Sequence, residues 1–161
     1  MSKMLMLLCL LILPIAAAAP ENPIPAGYEH WTPQSLDDTA KLLSAKAQAD
    51  PHHSASQQLS DYSNEYFLLG HREGDGQVEW HETQADLFVV ESGAATLVVG
   101  GRQVNGETTA PHEKRGGTLE GGIRQNLSAG DVVRIPAKVP HQLLVASGQK
   151  FTYFVVKIKG Y

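Results

Sequence analysis

Two short stretches of the chain carry the side chains that could bind a metal ion. The first has Glu79 and His81 two residues apart, followed by Asp86. Because side chains on a strand alternate between its two faces, this spacing puts Glu79 and His81 on one face. The second stretch runs from Gly130 to His141 and predicts a turn, a strand and a proline-pinned bend before one more imidazole. Four oxygen or nitrogen donors could therefore converge on one cation.

The first stretch resembles the first sequence motif of the cupin superfamily. That motif reads His-x-His, three or four residues, Glu, six residues and Gly. The corresponding residues of this chain are Glu79, His81, Asp86 and Gly93. Glutamate takes the place of the first histidine and aspartate that of the glutamate, so both changes keep a group that can bind a metal.

The second stretch resembles the second cupin motif, which reads Gly, five residues, Pro, one residue, Gly, two residues, His, three residues and Asn. Gly130, Pro136 and His141 match it, whereas Lys138 replaces the second glycine and Val145 the asparagine. The resemblance extends from residue 62 to residue 158. It implies an all-β fold, an antiparallel β-barrel or jelly roll, with a metal site formed by four residues: Glu79, His81, Asp86 and His141.

The energetics of burial favour a metal at this site. Two carboxylates that point into one barrel repel each other and are costly to bury, and a divalent cation removes both penalties. The mixed set of two imidazoles and two carboxylates suits Mn²⁺ or Fe²⁺, and Zn²⁺ or Ni²⁺ can also bind such donors. The alternative is a hydrogen-bonded polar cluster without metal.

The resemblance implies dioxygenase, isomerase or lyase chemistry on a small oxygen-rich substrate, and the residues do not select among these. Glu79 could leave the metal and serve as a catalytic general base. The rival hypothesis is a non-catalytic module that binds a sugar or phenolic molecule in the barrel mouth. A homodimer paired through edge strands is compatible with either function.

The N-terminal segment predicts export. Residues 1–19 have a lone Lys3, an apolar core and a run of alanines that offers a cleavage site after Ala18 or Ala19, as in a secretory signal peptide. Cleavage would remove Cys9, the only cysteine, so no disulfide is expected. We expect a periplasmic or secreted bacterial protein that has no membrane segment after cleavage. The formal charge of −4 and the scattered cations argue against nucleic acid as a partner.

The rest of the chain predicts one helix followed by short strands. We assign residues 20–60 to a linker and an N-terminal helix, which begins at a Thr32 cap and ends near Ala49. Residues 61–161 form the barrel, with a hairpin turn at residues 91–93 and a long hairpin loop near the barrel mouth over residues 100–122.

Several side chains near the motifs need separate assignments. Phe88 and Leu143 are expected to line the cavity, with Tyr66 and Tyr153 as candidate hydrogen-bonding groups. His71 could face the cavity from the strand before the first motif, but we expect it to be exposed at a hairpin end. The same applies to Arg134, which interrupts an apolar strand but is expected on the barrel exterior, and to four further histidines: His30, His52, His53 and His112.

Overall fold

The computed structural model describes residues 23–161 of the chain. Residues 23–30 form a short unit with a single turn, and residues 31–161 form a second unit that holds the helix and all the strands of the described chain. The predicted signal peptide, residues 1–19, lies outside the described residues. Within residues 23–161, no helix has the length and apolar character needed to span a membrane.

The helix α1 (Pro33–Ala49) confirms the predicted one. The Thr32 hydroxyl accepts a hydrogen bond from the Ser35 amide at 3.1 Å, and proline occupies the first turn, where its missing N–H is not needed. Leu43 and Ala47 are fully buried on the face that contacts the sheet. The amphipathic pattern therefore places α1 against the outside of the barrel, away from the candidate site.

The strands follow α1 in chain order, and every pairing among them is antiparallel. They are β1 (Ser54–Asp61), β2 (Glu65–Arg72), β3 (Glu79–His81), β4 (Gln84–Val99), β5 (Arg102–Val104), β6 (Glu107–Ala110), β7 (Glu113–Arg115), β8 (Thr118–Glu120), β9 (Ile123–Ser128), β10 (Val132–Ile135), β11 (His141–Leu144) and β12 (Phe151–Lys159).

One curled sheet contains most of these strands, in the order β1-β2-β12-β4-β11-β3-β7-β6, and β9 and β10 also pair with β4. β5 and β8 form a separate ribbon. The first half of β4 pairs with β12 and β10, and its second half pairs with β9 and β11. β4 therefore joins the two halves of an antiparallel, largely all-β barrel, which confirms the predicted fold class.

Three boundaries differ from the sequence prediction. Residues 91–93 are not a hairpin turn but part of β4, where Gly93 has φ +80° and lies beside a register shift in the pairing with β12. Residues 100–122 are not an open loop, because β5 to β8 occupy most of them. The sheet begins at Ser54 in β1, before the barrel boundary that we placed at residue 61.

The barrel interior divides into an apolar half and a charged half. The apolar half is a cluster of buried side chains from β4, β9, β10, β11, β12 and the segments beside them: Phe88, Val90, Ala95, Leu97, Leu127, Ile135, Leu143, Val145, Phe151, Tyr153 and Val155. The charged half contains buried polar residues, including His81, Asp86, His141 and Lys157. Burial of the apolar side chains stabilises the strands that carry the charged side chains.

His71 is buried, contrary to the prediction that it is exposed at a hairpin end. Its Nδ1 lies 2.8 Å from the Thr152 hydroxyl on β12, and its Nε2 lies 3.2 Å from the Glu73 carboxylate. Glu73 also accepts from Ser44 of α1 at 2.5 Å and pairs with Lys150 at 2.9 Å. This network joins the helix to the sheet.

Substitution of Gly93 tests the backbone conformation in the middle of β4. A Cβ at Gly93 would overlap the backbone carbonyl oxygen of Lys150, and its positive φ is unfavourable for any L side chain. We expect Gly93→Ala to lower the free energy of unfolding by more than about 2 kcal/mol, measured by urea denaturation. Gly130→Ala is the control, because Gly130 has φ +91° but open space around it. An equal loss of unfolding free energy in both variants would contradict the role of the close Lys150 contact at Gly93.

The Glu73 network predicts a pH dependence of stability. Hydrogen bonds from Ser44 and Lys150 lower the pKa of Glu73 from 4.5 to about 2. A lowered folded-state pKa contributes stability that is complete above the ordinary pKa and is lost as the pH falls toward 2. We expect the stability difference between the native protein and Glu73→Gln to be constant at neutral pH and to shrink from pH 4.5 to 2.

The measurement is urea denaturation across that pH range. Glu107→Gln, on the exposed strand β6, serves as the control and should show no comparable change. A difference between Glu73→Gln and the native protein that does not depend on pH would contradict the prediction.

Candidate metal centre

Three strands bring the predicted ligands to the charged half of the barrel. Glu79 and His81 lie on β3, Asp86 on β4 and His141 on β11, and His141 is the direct cross-strand partner of Glu79. The two-residue period places Glu79 and His81 on the same inward face, as the sequence predicted. Asp86 in turn is the cross-strand partner of Lys157 on β12. The structure therefore brings the four predicted residues together and adds a lysine.

Glu79, His81 and His141 form a group that could hold a metal ion. One donor atom from each lies within 4.8 Å of the other two. The His81 and His141 rings are 5.4 Å apart between centroids, and His81 Nε2 lies 3.6 Å from Glu79 Oε2. Asp86 is outside this group of three, although its Oδ2 lies 3.4 Å from Nε2 of each imidazole. Its role as a fourth ligand stays a prediction.

Two arginines hold the Glu79 carboxylate through one of its oxygens. Glu79 Oε1 accepts from Arg115 Nη1 at 2.9 Å and from Arg72 Nη2 at 3.2 Å. Both bonds use Oε1, so Oε2 is the oxygen that faces His81. Outer partners of this kind orient a ligand without using its donor atom.

The two imidazoles are also held through the nitrogen that faces away from the site. His81 Nδ1 lies 2.6 Å from Glu113 Oε2, and His141 Nδ1 lies 3.2 Å from the Val139 carbonyl oxygen. These acceptors assign the proton to Nδ1 in both neutral rings, which leaves each Nε2 with a lone pair directed into the site. An acceptor behind each ring is typical of histidines that bind metals.

Asp86 and Lys157 form a buried ion pair beside the three donors. Asp86 is 1% exposed, and its Oδ2 accepts from Lys157 Nζ at 2.7 Å. Lys157 Nζ also lies 2.9 Å from His81 Nε2. Asp86 Oδ1 is buried and has no hydrogen-bond partner among the described residues. The lysine ammonium is therefore a cation placed at the front of the donor group.

The pKa shifts show that the site favours positive charge. Burial raises the pKa of Asp86, but the neighbouring imidazoles of His141 and His81 and the charge of Lys157 outweigh it and keep the carboxyl ionised. Burial likewise raises the pKa of Glu79, and Arg115 and Lys157 reverse that effect. For His81, burial lowers the pKa, but the nearby carboxylates of Asp86 and Glu113 raise it above its ordinary value.

The donor set fits a divalent cation. Three donor atoms converge, each residue is held from behind, and one of the three, His81 Nε2, is already in contact with an ammonium group. A buried carboxylate oxygen without a partner among the described residues, Asp86 Oδ1, lies beside that point. To bind a cation there, His81 Nε2 must release Lys157.

Sequence reasoning missed the cations around the site. Arg72, Arg115 and Lys157 neutralise carboxylates that we had expected to need a metal. Alternation along β12 could have identified Lys157, because it follows Tyr153 and Val155 at two-residue steps on the inward face. Arg115 and Glu113 gave no comparable signal, since they lie on the three-residue strand β7, which was predicted as loop.

A cavity of about 330 Å³ opens beside the charged cluster. As predicted, its walls include the apolar side chains of Phe88 and Leu143 and the phenols of Tyr66 and Tyr153. Burial and then the charge of Asp86 raise the pKa of Tyr66 to about 12, so this phenol stays protonated. The cavity is large enough for a small organic molecule and combines charged and apolar walls.

Of the remaining sequence candidates, His71 also lines this cavity, and the others lie outside it. Arg134 is exposed and donates to the Tyr161 hydroxyl, as expected for the barrel exterior. His112 is 58% exposed at its side chain and pairs with Glu82. The expectation that His30, His52 and His53 are exposed is confirmed. Lys138, which stands where the second cupin motif has glycine, has φ +64°, a backbone conformation that favours glycine.

Solved structures with the same arrangement of strands identify the fold. The cupin domain of Cnp3 from Schizosaccharomyces pombe superposes with a TM-score of 0.50 at 6% identity, covering 66% of this chain and 64% of that one. The chain has the cupin fold. The protein TT1209 from Thermus thermophilus matches with a TM-score of 0.50 at 17% identity, over 68% of this chain and 87% of that one.

A third structure is less similar to this chain. The polyketide cyclase RemF from Streptomyces resistomycificus matches with a TM-score of 0.47 at 17% identity, and 65% of this chain aligns with 64% of that one. No family model matches the sequence, and no curated protein matches it. The likeness to the Cnp3 cupin domain shows the cupin fold, and the function must be argued from the site itself.

The Asp86–Lys157 pair makes a prediction about stability. Lys157→Met should lower the free energy of unfolding by about 3–5 kcal/mol, because it leaves the Asp86 carboxylate buried without its cation. The double variant Asp86→Asn/Lys157→Met removes both charges and should lose less. Urea denaturation in the presence of a chelator measures both effects.

Lys159→Met is the matched control, since Lys159 lies on the same strand and pairs with the half-exposed Asp61. Breaking that surface pair should cost no more than about 1 kcal/mol. If Lys157→Met costs no more than Lys159→Met, Asp86 does not depend on Lys157 for its charge.

Proposed function

We propose that this cupin holds a divalent cation at Glu79, His81 and His141 and uses it to bind and transform a small oxygen-rich molecule. The observation that carries the proposal is the orientation of the three side chains. Each is held from behind by arginine, carboxylate or carbonyl partners, so Glu79 Oε2 and the two Nε2 atoms are directed toward one point. Such partners keep the three side chains ordered in the apoprotein and are typical of residues that bind a metal.

Two imidazoles and one carboxylate form a set that binds Fe²⁺ with positions left open, and Mn²⁺ or Zn²⁺ can occupy similar donors. A cation bound there would act as a Lewis acid or, if redox-active, supply one-electron chemistry. The open side of the site faces the cavity. Three cationic side chains that lie next to the metal donors form part of its walls: Arg72, Arg115 and Lys157. These cations would orient the oxygen atoms of a substrate.

The charge compensation around Glu79 bears on its proposed role as a general base. Arg115 and Lys157 lower the pKa of Glu79 despite its burial. A carboxylate with a lowered pKa is a weaker base, so the geometry supports Glu79 as a metal ligand more than as a proton acceptor.

A second candidate function is binding without catalysis. It is favoured by the pairing of Asp86 with Lys157 and of Glu79 with Arg72 and Arg115, because these carboxylates are neutralised without a metal. The cavity would then hold a small polar molecule, such as a sugar or phenol, against Phe88 and Leu143. The metal content of the native protein distinguishes the two functions.

The test is elemental analysis by mass spectrometry. The protein is purified from its native compartment without chelators or an affinity metal. We expect near-stoichiometric manganese, iron or zinc in the native protein and less than about a tenth of it in the His81→Ala/His141→Ala variant, because both imidazole donors are lost. The exposed histidines supply the control variant, His52→Ala/His112→Ala, which should retain the metal.

Circular dichroism verifies that each variant is folded. Metal that persists in the folded His81→Ala/His141→Ala variant would contradict the proposed ligand set. A native protein that carries no metal, and takes up none on incubation with Mn²⁺, Fe²⁺ or Zn²⁺, would contradict the metal-dependent function and favour the binding module.

A further inference from the structure

We infer that Lys157 competes with the metal ion for His81 and thereby sets the affinity of the metal centre. The inference rests on the proposed function, because it takes Glu79, His81 and His141 as the donor group. Its own basis is the position of Lys157 Nζ, 2.9 Å from His81 Nε2 and 2.7 Å from Asp86 Oδ2.

His81 has a single lone pair to offer. Its Nδ1 lies 2.6 Å from Glu113 Oε2 and carries a proton toward that carboxylate. Nε2 is therefore the ring atom that can accept a hydrogen bond or bind a cation. Lys157 uses the lone pair as a hydrogen-bond acceptor, whereas a metal ion would use it at a distance of about 2.0–2.1 Å. The two interactions with His81 exclude each other.

Asp86 can keep the Lys157 ammonium group as its partner after that group leaves His81. Lys157 and Asp86 are direct cross-strand partners, and the ammonium keeps its 2.7 Å contact with Oδ2 when it leaves His81. The other oxygen, Oδ1, is buried and has no partner among the described residues, so a lysine that shifts toward Asp86 meets an open acceptor. Metal binding therefore need not leave the buried carboxylate without a cation.

The competition lowers the affinity of the native protein for metal. A cation that enters the site must break a charge-assisted hydrogen bond and settle close to a second positive charge. The same donor set without the lysine should bind more tightly. Cations that bind imidazole strongly displace Lys157 at lower concentration than weakly binding ones such as Mn²⁺. Lys157 thus raises the metal concentration at which the site is occupied.

The test measures Zn²⁺ affinity by isothermal titration calorimetry on the full chain after metal removal. Asp86→Asn is compared with Asp86→Asn/Lys157→Met, so that any contribution of the Asp86 carboxylate is absent from both. We expect the double variant to bind Zn²⁺ about ten- to a hundredfold more tightly, the equivalent of one charge-assisted hydrogen bond. The native protein and Lys157→Met provide a second comparison with the carboxylate present, and Lys159→Met is the control for loss of a lysine from β12.

The outcomes separate the inference from the proposed function. Tighter binding in both comparisons, with Lys159→Met unchanged, supports competition by Lys157. Equal or weaker binding without Lys157, in folded variants and with a native protein that binds Zn²⁺, overturns the inference and leaves the metal centre intact. Zn²⁺ binding only in variants without Lys157 supports the inference but overturns metal loading of the native protein. No binding by any of the proteins overturns both.

Discussion

Burial of carboxylates inside the barrel is the constraint on which the rest of the structure depends. Asp86 and Glu79 are removed from water, and each stays ionised because cations or hydrogen-bond donors surround it. Lys157 pairs with Asp86, and two arginines share one oxygen of Glu79. Glu79 and the two histidines each offer one donor atom within 4.8 Å of the others, and one of these atoms, His81 Nε2, is in contact with Lys157. In each of these side chains, one atom is bonded to a neighbouring residue and another faces the site. The chemistry of the site follows from this arrangement.

The apolar half of the barrel makes that arrangement possible. Buried side chains of β4, β11 and β12 pack into one cluster, and the same strands continue into the charged half. Gly93, with its positive φ, lies where β4 passes from its pairing with β12 to its pairing with β9 and β11. Helix α1 packs on β1 and β2, and the Glu73 network joins it to the sheet. Packing thus fixes the positions of charges that would not hold together on their own.

Much of the fold could be predicted because hydrophobic period and motif spacing are local signals. Helix α1, strand β2 and the inward faces of β3 and β11 follow from such patterns. The turn predicted at Gly93 was wrong because a glycine with positive φ serves a bulge as well as a hairpin. Residues 100–122 were misjudged because three-residue strands are too short to show alternation. The site donors could be predicted, and alternation along β12 would have placed Lys157 on the inward face, whereas Arg115 could not be told from a surface cation because β7 has only three residues.

The central claim is that Glu79 Oε2 and the Nε2 atoms of His81 and His141 define a cation site. An anomalous-difference map from crystals of the protein grown with Zn²⁺ tests it most directly, because zinc binds nitrogen and oxygen donors more tightly than manganese does. We predict a peak about 2.0–2.2 Å from all three atoms, with Lys157 displaced toward Asp86. A map with Lys157 still on His81 and no zinc at the three donors, or zinc bound through other residues, would contradict the claim.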